Sequence, residues 1–514
     1  MKLERTKNAV KNSIWGIMNS ICSLIMPFLV RTVLIKVLGM EYLGLSSLFT
    51  SILSILNLSE LGIGSAIVFS MYKPIATNDE KTICALMLLY RKIYRIIGVI
   101  ILGVGVILMP FLSYLVKGTI PENINIYFLY FIYLINTVAS YWLFAYRNSL
   151  VSAYQRTDIL SKVALATNTM MYFVQIIVLF MFKNYYIYII FLPLFSILNN
   201  IIVALFSKKM FPQYFCRGKI STQQMEDIKK RVTGLMMNKI AYASRNAFDS
   251  VIVSAILGLE VVAMYNNYYY IINAIAALMR VFMSAIVAGV GNSMETDSRD
   301  KNMKDMRIIN YIYMTGACFC FCCILNLYQP FMVLWVGKMY TFPFYIMFAF
   351  SLYFLVEKAE NVVGIYYDAA GLWWYGKWKG FIEALLNLIL NIVLCKFLGV
   401  FGIILATIIT IVLIGFFMTA QYLFKFYYRK KSLNFIKEQI TIVVKIILIG
   451  CIDYMFCSFV PYGITTYQKI IFLFIKLILS VIVCAFLYFI VFWKNMLFKE
   501  SIEWVGKHIN ILKK

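Results

Sequence analysis

Runs of twenty or more mainly apolar residues recur from end to end of this chain, separated by short polar connections. Each run is long enough to cross a hydrocarbon core of about 30 Å as an α-helix. The pattern predicts about fourteen transmembrane helices, at roughly 12–37, 43–72, 87–116, 124–147, 159–182, 185–206, 234–257, 261–292, 308–336, 342–368, 380–398, 400–427, 440–461 and 467–493. The expected fold class is an all-α polytopic membrane protein with little soluble mass. Its longest cytoplasmic connections fall near 207–233 and 293–307, and no external loop exceeds about a dozen residues.

Composition agrees with the pattern. The chain is 62% hydrophobic and 14% charged, whereas a soluble domain carries about 25% charged residues. The net charge of +25 would point to nucleic acid in a soluble protein. Here basic residues have a simpler use in fixing topology and meeting anionic lipid headgroups, so no nucleic-acid partner is expected. Of the 11 cysteines, Cys318, Cys320, Cys322 and Cys323 cluster within one apolar run. They lack the C-x-x-C spacing and have no histidine nearby, so they are expected to be small packing residues and not metal ligands. The first apolar segment is too long for a signal peptide and lacks an Ala-x-Ala-type cleavage site, so it reads as a retained span.

Lys and Arg separate the two sides of the membrane. One side collects Lys2 to Lys11, Lys73 to Arg95, Arg147 to Lys162, Lys208 to Arg231, Arg299 to Arg307, Lys377 and Lys379, Lys425 to Lys437, and the tail. The other holds only Lys36, Lys117, Lys183, Lys338, Lys396 and Lys469. The positive-inside rule then puts both termini in the cytoplasm.

A short motif recurs after the first and seventh spans. KVLGMEYLGL (36–45) and AILGLEVVAM (255–264) share Leu-Gly-x-Glu, and FLGVFG (397–402) is a weaker echo. The expected organisation is an N-terminal six-helix lobe (1–206), a cytoplasmic linker (207–233), a C-terminal six-helix lobe (234–428), two further helices (429–493) and an amphipathic cytoplasmic tail (494–514). Repeated lobes with a site between them are the transporter pattern, with alternating access as its mechanism.

Several charges remain inside the spans. A charge at that depth costs about 2.5 kcal/mol or more and faces a bundle interior or water. Arg31, Lys239, Arg245, Arg280 and Lys358 would line a cationic cavity suited to a polyanion, Arg by bidentate contact and Lys as a point charge. Arg245 and Asp249, spaced i, i+4, could instead neutralise each other. Asn266 and Asn267, within YNNYYYIIN (265–273), supply amides beside aromatic rings for binding sugar. Glu60 stands in LNLSELGIGSAIVFSMYKP (56–74) beside Gly62 and Gly64, which are expected to interrupt the span, with Pro27 as a further bending point. A cation such as Arg31 is its expected partner.

YLGLSSLF (42–49), LSELGIGSAIVFSMYKPIA (58–76), YRKIY (90–94), SVIVSAILGLEVVAMYNNYYYI (250–271), AGVGNS (288–293), YDAAGLW (367–373) and EALLNLILN (383–391) resemble the polysaccharide repeat-unit flippases. These are the O-antigen and capsule exporters of the multidrug/oligosaccharidyl-lipid/polysaccharide superfamily. The resemblance covers about residues 12–430. It implies two six-helix lobes around a central cavity and a location in the bacterial cytoplasmic membrane. It implies a cargo of undecaprenyl-pyrophosphate-linked oligosaccharide flipped from inner to outer leaflet, with the polysaccharide polymerase and export machinery as partners. It further implies no organic cofactor but coupling to Na+ or H+, for which Glu60, Asp249 and Glu357 are the candidate carboxylates. The only histidine, His508, lies in the tail, which excludes a histidine relay.

Two rivals follow from other classes. A multidrug or cation antiporter on the same fold would favour an acidic cavity, against which the intramembrane cations weigh. A membrane enzyme acting on lipid-linked sugars would need a large loop bearing paired acids, and no loop here is large enough, so the chain is not expected to be an enzyme.

Overall fold

The computed structural model describes residues 5–512 except Leu61, Thr119 and Tyr462; side chains are described except those of 5–7, 9–10, 58–59, 234–235, 237–244, 246, 285, 288, 374 and 507–512. No strand occurs among the described residues. The helices are, in order, α1 (Arg5–Val37), α2 (Met40–Leu56), α3 (Ile63–Ala76), α4 (Glu80–Leu108), α5 (Leu112–Leu115), α6 (Ile126–Trp142), α7 (Tyr146–Ala153), α8 (Thr157–Phe182), α9 (Tyr185–Met210) and α10 (Thr222–Leu257). There follow α11 (Leu259–Thr296), α12 (Arg299–Val336), α13 (Phe344–Ala369), α14 (Lys379–Leu398), α15 (Val400–Thr410), α16 (Thr419–Tyr422), α17 (Leu433–Ser458), α18 (Thr466–Phe492) and α19 (Met496–Leu512).

Ten of the described helical stretches are long and apolar enough to cross a membrane, and the bent pair α6–α7 makes up to eleven. The spans predicted at 43–72, 234–257 and 342–368 fall on α2–α3, α10 and α13. These are helical too, but α2–α3 is interrupted, while α10 and α13 carry charge in their middles. Glu60, Arg245, Asp249, Glu357 and Lys358 lie in these stretches, whereas Arg31 and Arg280 lie on α1 and α11, which are apolar enough to cross.

The chain forms two compact units, Met1–Ala263 and Met264–Lys514. In the first unit α1 packs along α8, α8 along α9, and α6 against both α4 and α9; α10 packs on α2, α3 and the turn between them. Asn12 of α1 accepts from the Asp158 backbone N–H at 2.7 Å, and its amide donates to the Gln155 carbonyl at 2.9 Å. Ile14, Ile17, Met18, Ile21 and Ile25 of the same helix are exposed, as lipid-facing side chains must be.

In the second unit α12 is central. It contacts α13, α17, α18 and α19, and 67% of its most apolar stretch is buried, against 11% for α18. Arg307 of α12 grips Glu438 of α17 through two nitrogens. The predicted amphipathic tail forms α19 and docks on α12, where Lys304 pairs with Glu500 at 2.9 Å. Backbone irregularity is concentrated between α15 and α17, where Ile411–Met418 and Leu423–Tyr428 are π-helical.

Short polar caps fix the helix starts. Asp79 accepts from the Thr82 backbone N–H at 3.0 Å and from its hydroxyl at 2.6 Å, opening α4. These bonds stabilise the carboxylate and hold Asp79 below the ordinary carboxylate pKa range.

The Leu-Gly-x-Glu repeat has one structural meaning. Gly39 (φ 115°, ψ 174°) and Gly258 (φ 104°, ψ 170°) each end one helix and open the next, with Glu41 and Glu260 in the following first turn. That backbone region is open to glycine almost alone. At Gly258 the turn is also enclosed: a Cβ would meet the Lys117 carbonyl at 3.0 Å, while Lys117 donates from its backbone to Ser254 and from its ammonium to Ile256 at the end of α10. We expect Gly258→Ala and Gly39→Ala each to cost about 1–3 kcal/mol, with Gly258→Ala the worse. Thermal unfolding in detergent checks this, and equal, unchanged midpoints would contradict the shared conformation.

Candidate functional site

In the first unit, the break after α2 places a carboxylate among phenols. Asn57–Glu60 is a 3-10 turn, Gly62 takes a left-handed conformation (φ 90°, ψ −16°), and α3 restarts at Ile63. Glu60 accepts from the Tyr94 hydroxyl at 2.6 Å, and the Tyr90 hydroxyl donates to Tyr94. The Tyr141 hydroxyl donates to Asn57 at 3.0 Å, and its ring meets that of Tyr94 edge-on at 5.2 Å. Gly64 makes room for this network: a Cβ there would stand 2.8 Å from the Tyr90 hydroxyl and 3.3 Å from the Glu60 carboxylate. The partner of Glu60 is therefore a tyrosine and not the expected cation. A phenol can satisfy a carboxylate at depth without adding a second charge.

The other residues expected in this unit occupy different places. Arg31 is half-buried on α1, within electrostatic reach of Tyr188. Pro27 is half-buried in the same helix, which runs unbroken past it. Arg245 and Asp249 are buried one turn apart on α10, the helix that packs on the Asn57–Glu60 turn. The Lys239 side chain lies outside the described residues. Beside α8 and α9, a cavity of about 740 Å³ is lined by Arg156, Lys162 and Lys209 together with apolar Ile159, Val163 and Phe206. Buried Asp158 pairs with Arg156 at 2.8 Å and with Lys162 at 3.6 Å.

In the second unit, α13 carries the charges. Lys358 is fully buried, donates to Glu357 at 2.9 Å and stands 5.1 Å from the Phe354 ring centroid. One turn on, Asn361 donates to the Tyr313 hydroxyl of α12 at 2.9 Å. Glu360 faces Lys379 of α14 at 3.9 Å. Lys379 also donates to the Gly415 carbonyl at 3.3 Å and to Thr419, across the π-helical turn that frees carbonyls from their usual partners. These are two neutralised pairs, Lys358 with Glu357 and Lys379 with Glu360.

Arg280, exposed on α11, differs. Its hydrogen bond is to the Asn273 carbonyl at 3.5 Å, and among the described residues it forms no ion pair. Tyr313 lies within electrostatic reach of both Arg280 and Glu357. Asn266 is half-buried and Asn267 fully buried on the same helix, near Tyr265 and Tyr269, whose rings stack 6.2 Å apart.

The charged residues were visible in the sequence; several partners were not. Tyr90 and Tyr94 carried a signal, since they are i, i+4 within YRKIY and so share a helix face. Tyr141, Tyr313 and Asn361 had none. Lys379, expected at the cytoplasmic edge, is largely buried against Glu360.

The family described as polysaccharide biosynthesis protein matches residues 9–288. No curated protein sequence matches the chain significantly. Among solved structures, the lipid II flippase MurJ in an inward closed conformation is similar, with a TM-score of 0.67 at 15% identity over 93% of this chain and 98% of that one. An inward-facing multidrug resistance MATE family transporter of the MOP superfamily gives 0.59 at 13% identity over 77% of this chain and 94% of its own. The MATE transporter VcmN of Vibrio cholerae, in a mutant form, gives 0.56 at 12% identity over 83% and 99%. At these identities the likeness is one of fold. With more than half its length matched, the chain belongs to the polysaccharide biosynthesis protein family, as a multi-pass membrane protein of the MOP superfamily.

Proposed function

We propose that the protein flips undecaprenyl-pyrophosphate-linked oligosaccharide units from the inner to the outer leaflet of a bacterial cytoplasmic membrane, for capsule or O-antigen export. Both termini are cytoplasmic in this reading, and the polymerase and export machinery take up the product. The observation that carries it is the presence of charge inside apolar helices of a polysaccharide-biosynthesis family member, with Arg280 forming no ion pair among the described residues. A guanidinium without a counter-charge suits pyrophosphate, which it can contact bidentately. The half-buried amide of Asn266 and ring of Tyr269 suit a sugar.

The two units divide the work. The Glu360–Lys379 pair ties α13 to α14, and the Lys358–Glu357 pair within α13 gives Lys358 a structural role instead of a grip on cargo. Glu60, held by Tyr94 at the α2–α3 break, is the coupling carboxylate. Proton or Na+ binding there would compete with the tyrosine for the same oxygen and so act on the flexible joint at Gly62 and Gly64. One charge moving down 100 mV supplies about 2.3 kcal/mol for such a step. No covalent chemistry and no organic cofactor enter this cycle. A multidrug antiporter on the same fold has less support, because its cationic cargo would be repelled by Arg280.

Surface polymer in a flippase-null strain, complemented at matched expression, tests the reading. Wild type should restore polymer. Arg280→Ala, losing a charge-assisted contact worth about 1.5–3 kcal/mol, should reduce the initial flipping rate about tenfold or more and leave lipid-linked units on the inner leaflet. Glu60→Gln should fold normally yet lose dependence on the imposed ion gradient. Drug resistance without polymer would replace flipping by antiport.

Lys358 provides a contrasting test. Lys358→Ala strands Glu357 and should cost about 3–5 kcal/mol of stability, seen as a lower unfolding midpoint. The double change Lys358→Met with Glu357→Gln should recover most of that loss and retain transport. A well-folded but inactive double variant would move Lys358 into the cargo site.

A further inference from the structure

The interface of α12, α17 and α18 carries a polar ladder that the proposed transport does not use. Along α12, Asn310 donates to Gln439 at 2.6 Å, Thr315 is hydrogen-bonded to Tyr488 at 2.6 Å, and Asn326 donates to Asp453 at 2.6 Å. The middle rung is sulfur. Cys318 and Cys322 are one turn apart on α12, and Cys484 reaches them from α18. All three are fully buried, and their sulfur atoms lie within 4.8 Å of one another, with Cys318 and Cys484 3.9 Å apart.

The geometry points to a binding site for a soft, thiophilic metal ion of the Cu(I) type at Cys318, Cys322 and Cys484. Metal–sulfur bonds are about 2.3 Å, so three sulfurs around one ion in a plane stand about 4 Å apart, the separation found between Cys318 and Cys484. Soft thiolates select such ions over the hard cations of the cytoplasm. Zinc would want a fourth ligand, whereas a three-coordinate soft ion does not.

Coordination of one Cu(I) by three thiolates releases three thiol protons to solvent, with three sulfur–copper bonds replacing three sulfur–hydrogen bonds. A second observation stands one turn away. Ser480, one turn before Cys484, donates to Asp453 at 2.7 Å. Asp453 is fully buried, and its Oδ1 has no hydrogen-bond partner among the described residues. This unpartnered carboxyl oxygen is a buried acceptor beside the sulfurs that packing alone does not use. C-x-x-C spacing would not reveal this site, because its third ligand comes from a helix more than 150 residues further along the chain.

The test uses the full-length, reduced protein in nanodiscs of neutral phosphatidylcholine, loaded with Cu(I) against a chromophoric Cu(I) chelator and then desalted. Wild type should retain about one ion per chain, and its X-ray absorption should show sulfur neighbours at about 2.3 Å. Cys484→Ser and Cys322→Ser should each lose retention at least about tenfold, whereas Cys451→Ser, at an exposed cysteine of α17 outside the cluster, should retain the ion. Size-exclusion profiles keep misfolding apart from ligand loss, and Cys484→Ala gives a second variant at the same position. No retained ion in wild type, or retention in folded Cys484→Ser equal to wild type, would overturn the site and leave a packed triad of neutral thiols.

Discussion

A charge inside a bilayer has no water to fall back on, and most of the polar architecture of this protein follows from that. Lys358 is paired with Glu357. Lys379 is paired with Glu360 and also donates to the Gly415 carbonyl within a π-helical turn. Glu60 is held by a phenol and Asp453 by an amide and a hydroxyl. Each solution avoids an isolated ion, whose desolvation would cost several kcal/mol after relaxation. Satisfying charges locally also lets each unit carry its polar groups without exposing them to lipid.

The helix pattern was largely legible in the sequence because apolar run length and basic asymmetry are local properties. The predicted spans fall on helices, and the interrupted α2–α3 and the charged α13, which are not uniformly apolar spans, hold Glu60, Glu357 and Lys358. Partnership was less legible. Arg31 seemed a reasonable mate for Glu60 by charge alone, yet the structure supplies Tyr94. Lys379 looked like a surface lysine because it follows Lys377 in a polar stretch, but α14 turns it toward Glu360. Contacts between distant helices leave no trace in a single sequence unless both partners are unusual, as charges are and tyrosines are not in a chain with 37 of them.

Glycine marks where the backbone must depart from continuous helix. The matched conformations of Gly39 and Gly258 turn a four-residue echo into a repeated turn. The left-handed Gly62 and the close approach at Gly64 turn a motif into a joint braced by Glu60, Tyr90 and Tyr94. The tyrosine–carboxylate network and the broken helix are therefore one feature: a Cβ at position 64 would press on both the Tyr90 hydroxyl and the Glu60 carboxylate.

Arg280 acquires its interest by contrast with these pairs. A lysine or arginine that already has a carboxylate partner can bind an anion only by giving up that partner, so part of any binding energy goes into breaking the pair. Lys358, buried with Glu357 in contact, would pay that cost in full. Arg280 is exposed, makes one long hydrogen bond to a carbonyl and, among the described residues, has no carboxylate to release. In the proposed cycle, a pyrophosphate-bearing cargo would be gripped by the cation that its own unit leaves uncompensated. A transporter also gains from a grip that is weak until cargo arrives, since a site satisfied by its own side chains would hold one conformation too firmly to cycle.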